Sequence, residues 1–131
     1  MRVRYAETDQ MGRAHHSHYL IWCELGRSEL MRERGISYAE LERRGLFLPV
    51  SRFEIEYRGV VGYDELARIH TRIVRVRSRS IRFSYRVTRE DGHLLAFAEN
   101  DLVCTDESGR PARLPDTLRS ALEAMVEEAF S

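Results

Sequence analysis

The stretch TDQMGRAHHSHYLIW, residues 8–22, passes from polar to apolar sequence within a few positions. Asp9 and Gly12 lie ahead of three closely spaced histidines, and from about residue 17 the chain is apolar nearly all round. A helix with that pattern is usually buried, so we expect a buried helix over 17–34 that ends at Gly35. The stretch therefore predicts a polar loop that leads directly into the start of a buried helix.

After this helix the apolar period changes from about 3.6 residues to 2, which is typical of β-strands. The capping box SYAE at 37–40 first predicts a second, short helix that ends at Gly45. The alternating segments then predict four long strands, at about 53–57, 66–77, 81–87 and 94–105.

Local signals refine this topology. The apolar phase slips between Ile73 and Val74, which predicts a bulge, and Asp91-Gly92 predicts a hairpin turn. Residues 2–6 are expected to form a further short strand and residues 115–130 a final amphipathic helix. The order β-α-α-β-β-β-β-α places one buried helix before four antiparallel strands, and the simplest way to cover the apolar face of the sheet is to curl it around that helix.

Bulk properties exclude several classes of protein. The 131 residues suit one domain, 1–131, and the formal net charge of zero gives no general attraction to nucleic acid or membranes. No apolar run approaches about 20 residues, so we expect no membrane span. Cys23 and Cys104 lie in apolar runs without a CxxC pattern, which favours buried free thiols and a cytoplasmic location.

The candidate chemistry lies in the loop and the helix start. Asp9 either caps a turn or acts as a general base or nucleophile. The first helical turn after His15, His16 and His18 carries unpaired N–H groups and the positive end of the helix dipole, which could polarise a carbonyl oxygen. Two alternatives for the three histidines are metal binding and simple packing, and neighbouring histidines do not converge easily on one ion.

Other features have both structural and functional interpretations. Residues 68–89 contain eight arginines and no acid, which indicates either the solvated face of a hairpin or a phosphate-binding ribbon, densest at VRSRS, 76–80. Glu24 and Arg27 are spaced as a helical ion pair, and Asn100-Asp101 interrupts the last apolar strand. No GxSxG, GxGxxG, P-loop or HExxH motif is present.

Taken together, these pieces resemble the hotdog-fold acyl-CoA thioesterases of the 4-hydroxybenzoyl-CoA thioesterase and Tol–Pal-associated type. The specific part is YAETDQMGRAHHSHYLIWCELGRSEL, in which Asp9, Gly12, His16 and Tyr19 match the family pattern. VRSRSIRFSYRV and DGHLLAFAENDLVCTDESGRPARLP resemble its later strands and closing turn. The sequence departs from the family at four positions, which bear on the acyl group rather than on the reaction: Arg13, Ala14, His15 and His18.

The resemblance implies an α+β hotdog fold, with a five-stranded antiparallel sheet around the long helix and a C-terminal helix. It implies hydrolysis of an acyl-CoA, with Asp9 as base or nucleophile and the His16 N–H as the oxyanion group. The implied substrate-binding residues are Gly12, Tyr19, Arg77 and Arg79. It also implies no cofactor, a homodimer or homotetramer with active sites at the shared interface, and no nucleic-acid or membrane partner.

Two other functions remain open on the sequence alone. One is a hotdog protein that binds an acyl thioester without hydrolysing it, or that dehydrates it. The other is a module that binds nucleic acid through the arginine ribbon.

Overall fold

The computed structural model describes residues 1–10, 12–13 and 15–131 of the chain. An antiparallel sheet of four strands in the order β1-β4-β3-β2 forms its centre. The strands are β1 (Val50–Tyr57), β2 (Ala67–Val76), β3 (Ser80–Arg89) and β4 (Leu94–Val103). The helices are α1 (His18–Glu33), α2 (Tyr38–Arg43) and α3 (Asp116–Glu123). None of the helices in the described residues is long and apolar enough to span a bilayer.

The period-2 pattern of the sequence is realised as an inner and an outer face of the sheet. On β3 the inward side chains of Ile81, Phe83 and Tyr85 are fully buried, whereas Arg86 points outward and is exposed. The predicted bulge is confirmed, because the pairing of β2 with β3 shifts register between Ile73 and Arg75. The Asp91-Gly92 turn is confirmed as well: Gly92 has φ +87° and its N–H donates to the Arg89 carbonyl.

Helix α1 covers the inner face of the sheet, as predicted. Its Cys23 and Met31 are buried in one apolar cluster with residues of β2, β3 and β4. It crosses β2 closely at Gly26, where a Cβ atom would lie 2.6 Å from the Thr71 hydroxyl oxygen. The absence of a side chain at Gly26 therefore allows the helix and the sheet to approach each other.

The prediction that α1 is buried on all sides is wrong. Leu20, Ile21 and Leu25 are 43%, 44% and 55% exposed, because one sheet covers only the side of the helix that faces it. The outer half of α1 thus carries apolar side chains that the described residues of one chain leave exposed.

The predicted fifth strand, residues 2–6, is also wrong. Only Arg2 forms a bridge, with Leu66, and residues Tyr5–Glu7 form a turn of 3₁₀ helix. The chain leaves the sheet here because the Glu7 carboxylate turns inward and accepts a hydrogen bond of 2.6 Å from the buried Trp22 indole. The sheet consequently has four strands rather than five.

The C-terminal helix is shorter than predicted, ending at Glu123 rather than near residue 130. Beyond it, Val126 forms a parallel bridge with Ile73 on the edge of β2, and the N–H of Phe130 donates to the Ser84 hydroxyl. Contacts with the sheet replace the helical hydrogen bonds in this tail.

Glu7 is the most deeply buried carboxylate described, at 1% exposure, and we expect Glu7→Gln to destabilise the protein by about 2–3 kcal/mol. Its two oxygens accept from the Trp22 indole and from the Arg4 N–H at 2.8 Å, and a glutamine presents an N–H₂ group to one of these donors. The measurement is urea unfolding at pH 7, with the exposed Glu42→Gln on α2 as a control.

The same residue gives a pH dependence. Burial alone would raise the pKa of Glu7, but hydrogen bonds from Arg4 and Trp22 outweigh it and lower the pKa below the usual value of 4.5. A lowered folded-state pKa stabilises the fold above the unfolded-state value, and that contribution is lost as the pH falls through the folded-state pKa. The difference in the free energy of unfolding between wild type and Glu7→Gln should therefore narrow below about pH 4.5. A difference that stays constant with pH would contradict this role of the Glu7 carboxylate.

Candidate active site

Asp9 lies near the tip of a loop that folds back on itself. The His15 N–H donates to the Glu7 carbonyl at 2.7 Å, and the Asp9 N–H donates to the Arg13 carbonyl at 2.7 Å. The Asp9 side chain accepts from the Arg13 N–H at 3.2 Å and is exposed in the isolated chain. This pairing brings Asp9 and the start of α1 to the same end of the molecule.

Gly12 makes the tight return of this loop possible. Its φ of +74° lies in the left-handed region that favours glycine, and its N–H donates to the Asp9 carbonyl at 3.0 Å. The structure thus gives Gly12 a backbone role beside Asp9, while the predicted contact with substrate stays a prediction.

The start of α1 faces the same end. His18 and Tyr19 donate their N–H groups to the carbonyls of His15 and His16 at 3.1 and 3.3 Å, so a turn precedes the regular helix. Ser17 occupies the cap position without a side-chain hydrogen bond to the helix. Sixteen aligned residues of α1 place their positive dipole end at this turn, which favours negative charge there.

Tyr57, the last residue of β1, ties the sheet to this turn. Its hydroxyl donates to the His16 carbonyl oxygen at 3.0 Å. Tyr19, predicted to contact substrate, is only 2% exposed and packs edge-on against the Tyr57 ring with 5.2 Å between centroids. Burial, followed by the neighbouring Tyr57, raises the pKa of Tyr19 to about 12, so its phenol stays neutral at pH 7.

The three histidines do not form a metal centre in the described part of the chain, where no group of three or more candidate ligands was found. The His15 and His16 rings lie 4.1 Å apart, tilted by 34°, and His15 Nδ1 is within 2.8 Å of the Ser17 hydroxyl. The rings pack on one another rather than converging on a point. Ala14, one of the four departures from the family pattern, lies outside the described residues.

Arg77 and Arg79 lie far from this loop within one chain. They belong to the exposed turn that follows Val76 at the end of β2. The start of β2, at Ala67, is the end that lies beside the first residues of the chain, where the Ala67 N–H donates to the Met1 carbonyl. The ten residues of β2 separate the two ends by about 30 Å at 3.3 Å per residue. The same chain therefore does not bring these arginines to Asp9.

The arginine ribbon is partly neutralised by acids from outside it. Arg82 binds Asp101 through two hydrogen bonds of 2.7 and 3.0 Å, and Arg72 lies 3.4 Å from Glu127 and over the Phe130 ring. This pairing lowers the charge available to a nucleic acid.

Each of the two remaining candidate pairs places one member in the core, and the ion pair predicted between Glu24 and Arg27, both described residues, does not form. Arg27 turns into the core, at 6% exposure, and donates to the Tyr85 hydroxyl at 3.4 Å, whereas Glu24 is exposed. Asn100 is fully buried and accepts a hydrogen bond from the same Tyr85 hydroxyl. Burial raises the pKa of the Cys23 thiol to about 12, which makes it a poor nucleophile at pH 7.

A family model, the thioesterase-like superfamily, matches residues 3–122. The chain belongs to this superfamily. Two similar curated proteins are a putative acyl-CoA thioesterase, YneP, of Bacillus subtilis and the acyl-CoA thioester hydrolase YbgC of Escherichia coli. They are 37% and 29% identical to this chain, over 85% and 90% of it and 81% and 89% of their own lengths.

Solved structures agree with this family. A hypothetical protein from Thermus thermophilus is 38% identical with a TM-score of 0.89, covering 95% of both chains. A DHNA-CoA thioesterase from Staphylococcus aureus is 27% identical with a TM-score of 0.90, covering 99% of this chain and 95% of that one. The superfamily predicted from the sequence and its thioesterase activity are confirmed, and the sheet is antiparallel as expected, with four strands instead of five.

Two residues at this end of the molecule carry no sequence signal that points to the site. Glu7 precedes Asp9 by two positions, but the pattern of residues 2–6 suggested a strand there and gave no sign that its carboxylate is buried. Tyr57 falls at the end of the strand predicted over about 53–57. Its position 41 residues after His16 carries no local signal, and only the folded chain brings the two together.

Proposed function

We propose that this protein hydrolyses an acyl-CoA to a free acid and coenzyme A, with Asp9 as base or nucleophile and the His16 N–H as oxyanion donor. The observation that supports these roles is the hairpin in which Asp9 bonds to Arg13 and Glu7 bonds to His15, because it gathers a carboxylate and a helix N-terminus at one place. A carbonyl held at the helix end is polarised while the nearby carboxylate supplies the attack.

Two sequences of steps fit these groups. In one, Asp9 takes a proton from water while the water oxygen bonds to the thioester carbon; the C–S bond then breaks and the thiolate leaves. In the other, the Asp9 carboxylate bonds to the carbon first, expels the thiolate and leaves a mixed anhydride that water cleaves. In both, negative charge develops on the carbonyl oxygen, where the His16 N–H and the α1 dipole oppose it.

The deciding experiment for the activity is a thiol-release assay over a panel of aryl- and alkyl-CoAs. Release of free coenzyme A with at least one acyl group is expected. Binding of acyl-CoA without any release would favour a non-hydrolytic role. A hydroxyacyl thioester that loses water rather than coenzyme A would favour a dehydratase.

We further propose that two copies pair through β1. The two edges of the sheet differ. The β2 edge is occupied at two points, by the bridge of Arg2 with Leu66 just before the strand and by that of Val126 with Ile73. The edge of β1 carries exposed residues such as Val50 and Tyr57. Open edges favour pairing with another strand. The exposed Leu20, Ile21 and Leu25 of α1 supply apolar surface that such a partner could cover.

Twofold pairing through β1 would place each active site beside a different part of the partner. If both copies of α1 lie on one side of a continuous sheet, the paired strands run antiparallel, so the Tyr57 end of one copy meets the Val50 end of the other. The turn with Arg77 and Arg79 lies at that end of the partner subunit, since Val50, Leu102, Ile81 and Val76 are linked by strand pairing. Three to four strand spacings separate this turn of the partner subunit from β1 of the first copy, which gives about 17 Å. A distance of this size suits the pantetheine arm of coenzyme A.

The His16 side chain is not required in this proposal, so we expect His16→Ala to keep kcat within about threefold of wild type. The backbone N–H is unchanged by the substitution, and among the described residues the exposed imidazole packs against His15 and Tyr57. Steady-state kinetics on the best acyl-CoA checks this, with His93→Ala on the β3–β4 turn as a control. A loss of about 100-fold would instead assign acid–base work to the imidazole.

The two buried free thiols, Cys23 and Cys104, support the proposed location in a reducing cytoplasm.

A further inference from the structure

The His16 carbonyl oxygen lies in the candidate site and would repel the negative charge that develops on the substrate. It belongs to the same residue as the N–H proposed to bind the oxyanion, and it carries partial negative charge. A residue with a mobile carbonyl could turn that oxygen toward the substrate. Catalysis therefore requires that the His16 carbonyl oxygen is held pointing away from the substrate.

Two donors hold this oxygen. The Tyr19 N–H approaches it at 3.3 Å and the Tyr57 hydroxyl at 3.0 Å. A carbonyl oxygen has two lone pairs, so these two bonds satisfy it fully. The His16 N–H lies in the preceding peptide plane, which the His18 N–H holds through the His15 carbonyl at 3.1 Å. The peptide planes on both sides of the His16 Cα are thus held, the second of them partly by Tyr57, and rotation about the two His16 backbone bonds that would redirect its N–H is restricted.

Tyr57 is itself well placed to hold a fixed direction. Its ring meets those of Tyr19 and His16 nearly at right angles, at 89° and 82°, with centroids 5.2 and 6.3 Å apart. Edge-to-face contacts of this kind are favourable and orient the ring. The phenol thus links the end of β1 to a single backbone atom at the start of α1.

We propose that Tyr57 is a positioning residue of the thioesterase, whose hydroxyl holds the His16 carbonyl so that the His16 N–H stays directed at the thioester oxygen. This inference rests on the proposed function, which assigns that N–H to the oxyanion. A donor oriented before the reaction stabilises the transition state without reorganisation. Tyr57 transfers no proton and touches no substrate atom in this scheme.

The position of Tyr57 also links catalysis to assembly. It is 44% exposed in the isolated chain and ends the strand that we propose to pair with a second copy. Pairing along β1 would restrict the end of this strand and hence the phenol. The direction of the oxyanion donor would then depend on dimer formation.

The test is Tyr57→Phe, which removes the hydroxyl and keeps the ring contacts. We expect kcat to fall about tenfold, with KM changed by less than about twofold, for every acyl-CoA that the enzyme cleaves, because the carbonyl oxygen is common to all of them. Tyr63→Phe removes an exposed hydroxyl on a neighbouring loop and should leave both constants unchanged. Melting temperature and sedimentation on the same preparations confirm that each variant is folded and assembled to the same degree as wild type.

Two results would overturn the proposal. One is an unchanged kcat, and the other is a rise in KM alone, which would make Tyr57 a substrate contact. If Tyr57→Phe is less stable, its kcat is measured well below its melting temperature, where it is folded to the same degree as wild type; a kcat equal to that of wild type there is the first of these two results. Asp9→Asn, assayed in parallel, tests the proposed function separately: if it is inactive while Tyr57→Phe is fully active, only the positioning role is wrong.

Discussion

Asp9→Asn is expected to lower kcat by at least about 100-fold, the low end of the effect of losing a general base. The substitution is nearly isosteric, and the asparagine oxygen can still accept the hydrogen bond from the Arg13 N–H, which is 3.2 Å from Asp9 in the structure. We therefore expect the loop to keep its shape and the free energy of unfolding to fall by about 1 kcal/mol or less. Only the negative charge is lost, and both proposed mechanisms depend on it.

The measurement combines kcat, substrate Kd and melting temperature on one preparation. Kd should change little, because the helix end that holds the carbonyl is intact. Asp116→Asn is a matched control: it removes an exposed carboxylate in the first turn of α3 and should leave kcat unchanged. A folded Asp9→Asn protein that keeps more than about a tenth of wild-type kcat would rule out a catalytic role for Asp9.

The elements that the sequence predicted well are those whose stability depends on their own pattern. The alternation of Ile81, Phe83 and Tyr85 with polar residues predicts β3 directly, since successive strand residues point to opposite faces of the sheet. One error concerns α1, whose outer side is exposed because a single sheet covers only one side of it. The other errors lie at the chain ends, where distant contacts decide. The indole of Trp22 draws Glu7 inward, and the edge of β2 draws Val126 out of the helical pattern.

The residues of the candidate site also fall into a group that is local in sequence and a group that distant contacts bring together. Asp9, Gly12 and His16 lie within eight residues, so one loop and one helix start suffice to place them, and sequence alone can suggest their roles. Tyr57 comes from a strand that pairs with β4, and its contact with His16 depends on how α1 lies on the sheet. Arg77 and Arg79 were matched to the site by resemblance, and a single chain holds them at the opposite end of the sheet. Their proposed role therefore depends on a second copy.

If Arg77 and Arg79 act on the active site of the partner subunit, a dimer of two differently defective variants should regain activity. Arg77→Ala/Arg79→Ala should raise KM for acyl-CoA about tenfold, because both side chains are exposed and each phosphate contact contributes about 1 kcal/mol or less. It should leave a short pantetheine thioester, which lacks the nucleotide, unaffected. Asp9→Asn alone is nearly inactive for the reason given above.

In a heterodimer of these two variants, the site with an intact Asp9 would receive its arginines from the Asp9→Asn subunit, which carries both. That site would be complete, and the other would lack its carboxylate. Heterodimers purified through two different affinity tags should therefore show about half of the wild-type kcat/KM per dimer. If each chain instead supplied its own arginines, no complete site would form, and kcat/KM would stay near a twentieth of wild type, since the one active site would keep the tenfold defect. The two outcomes differ by about tenfold, so this measurement decides whether the coenzyme A site is shared between subunits.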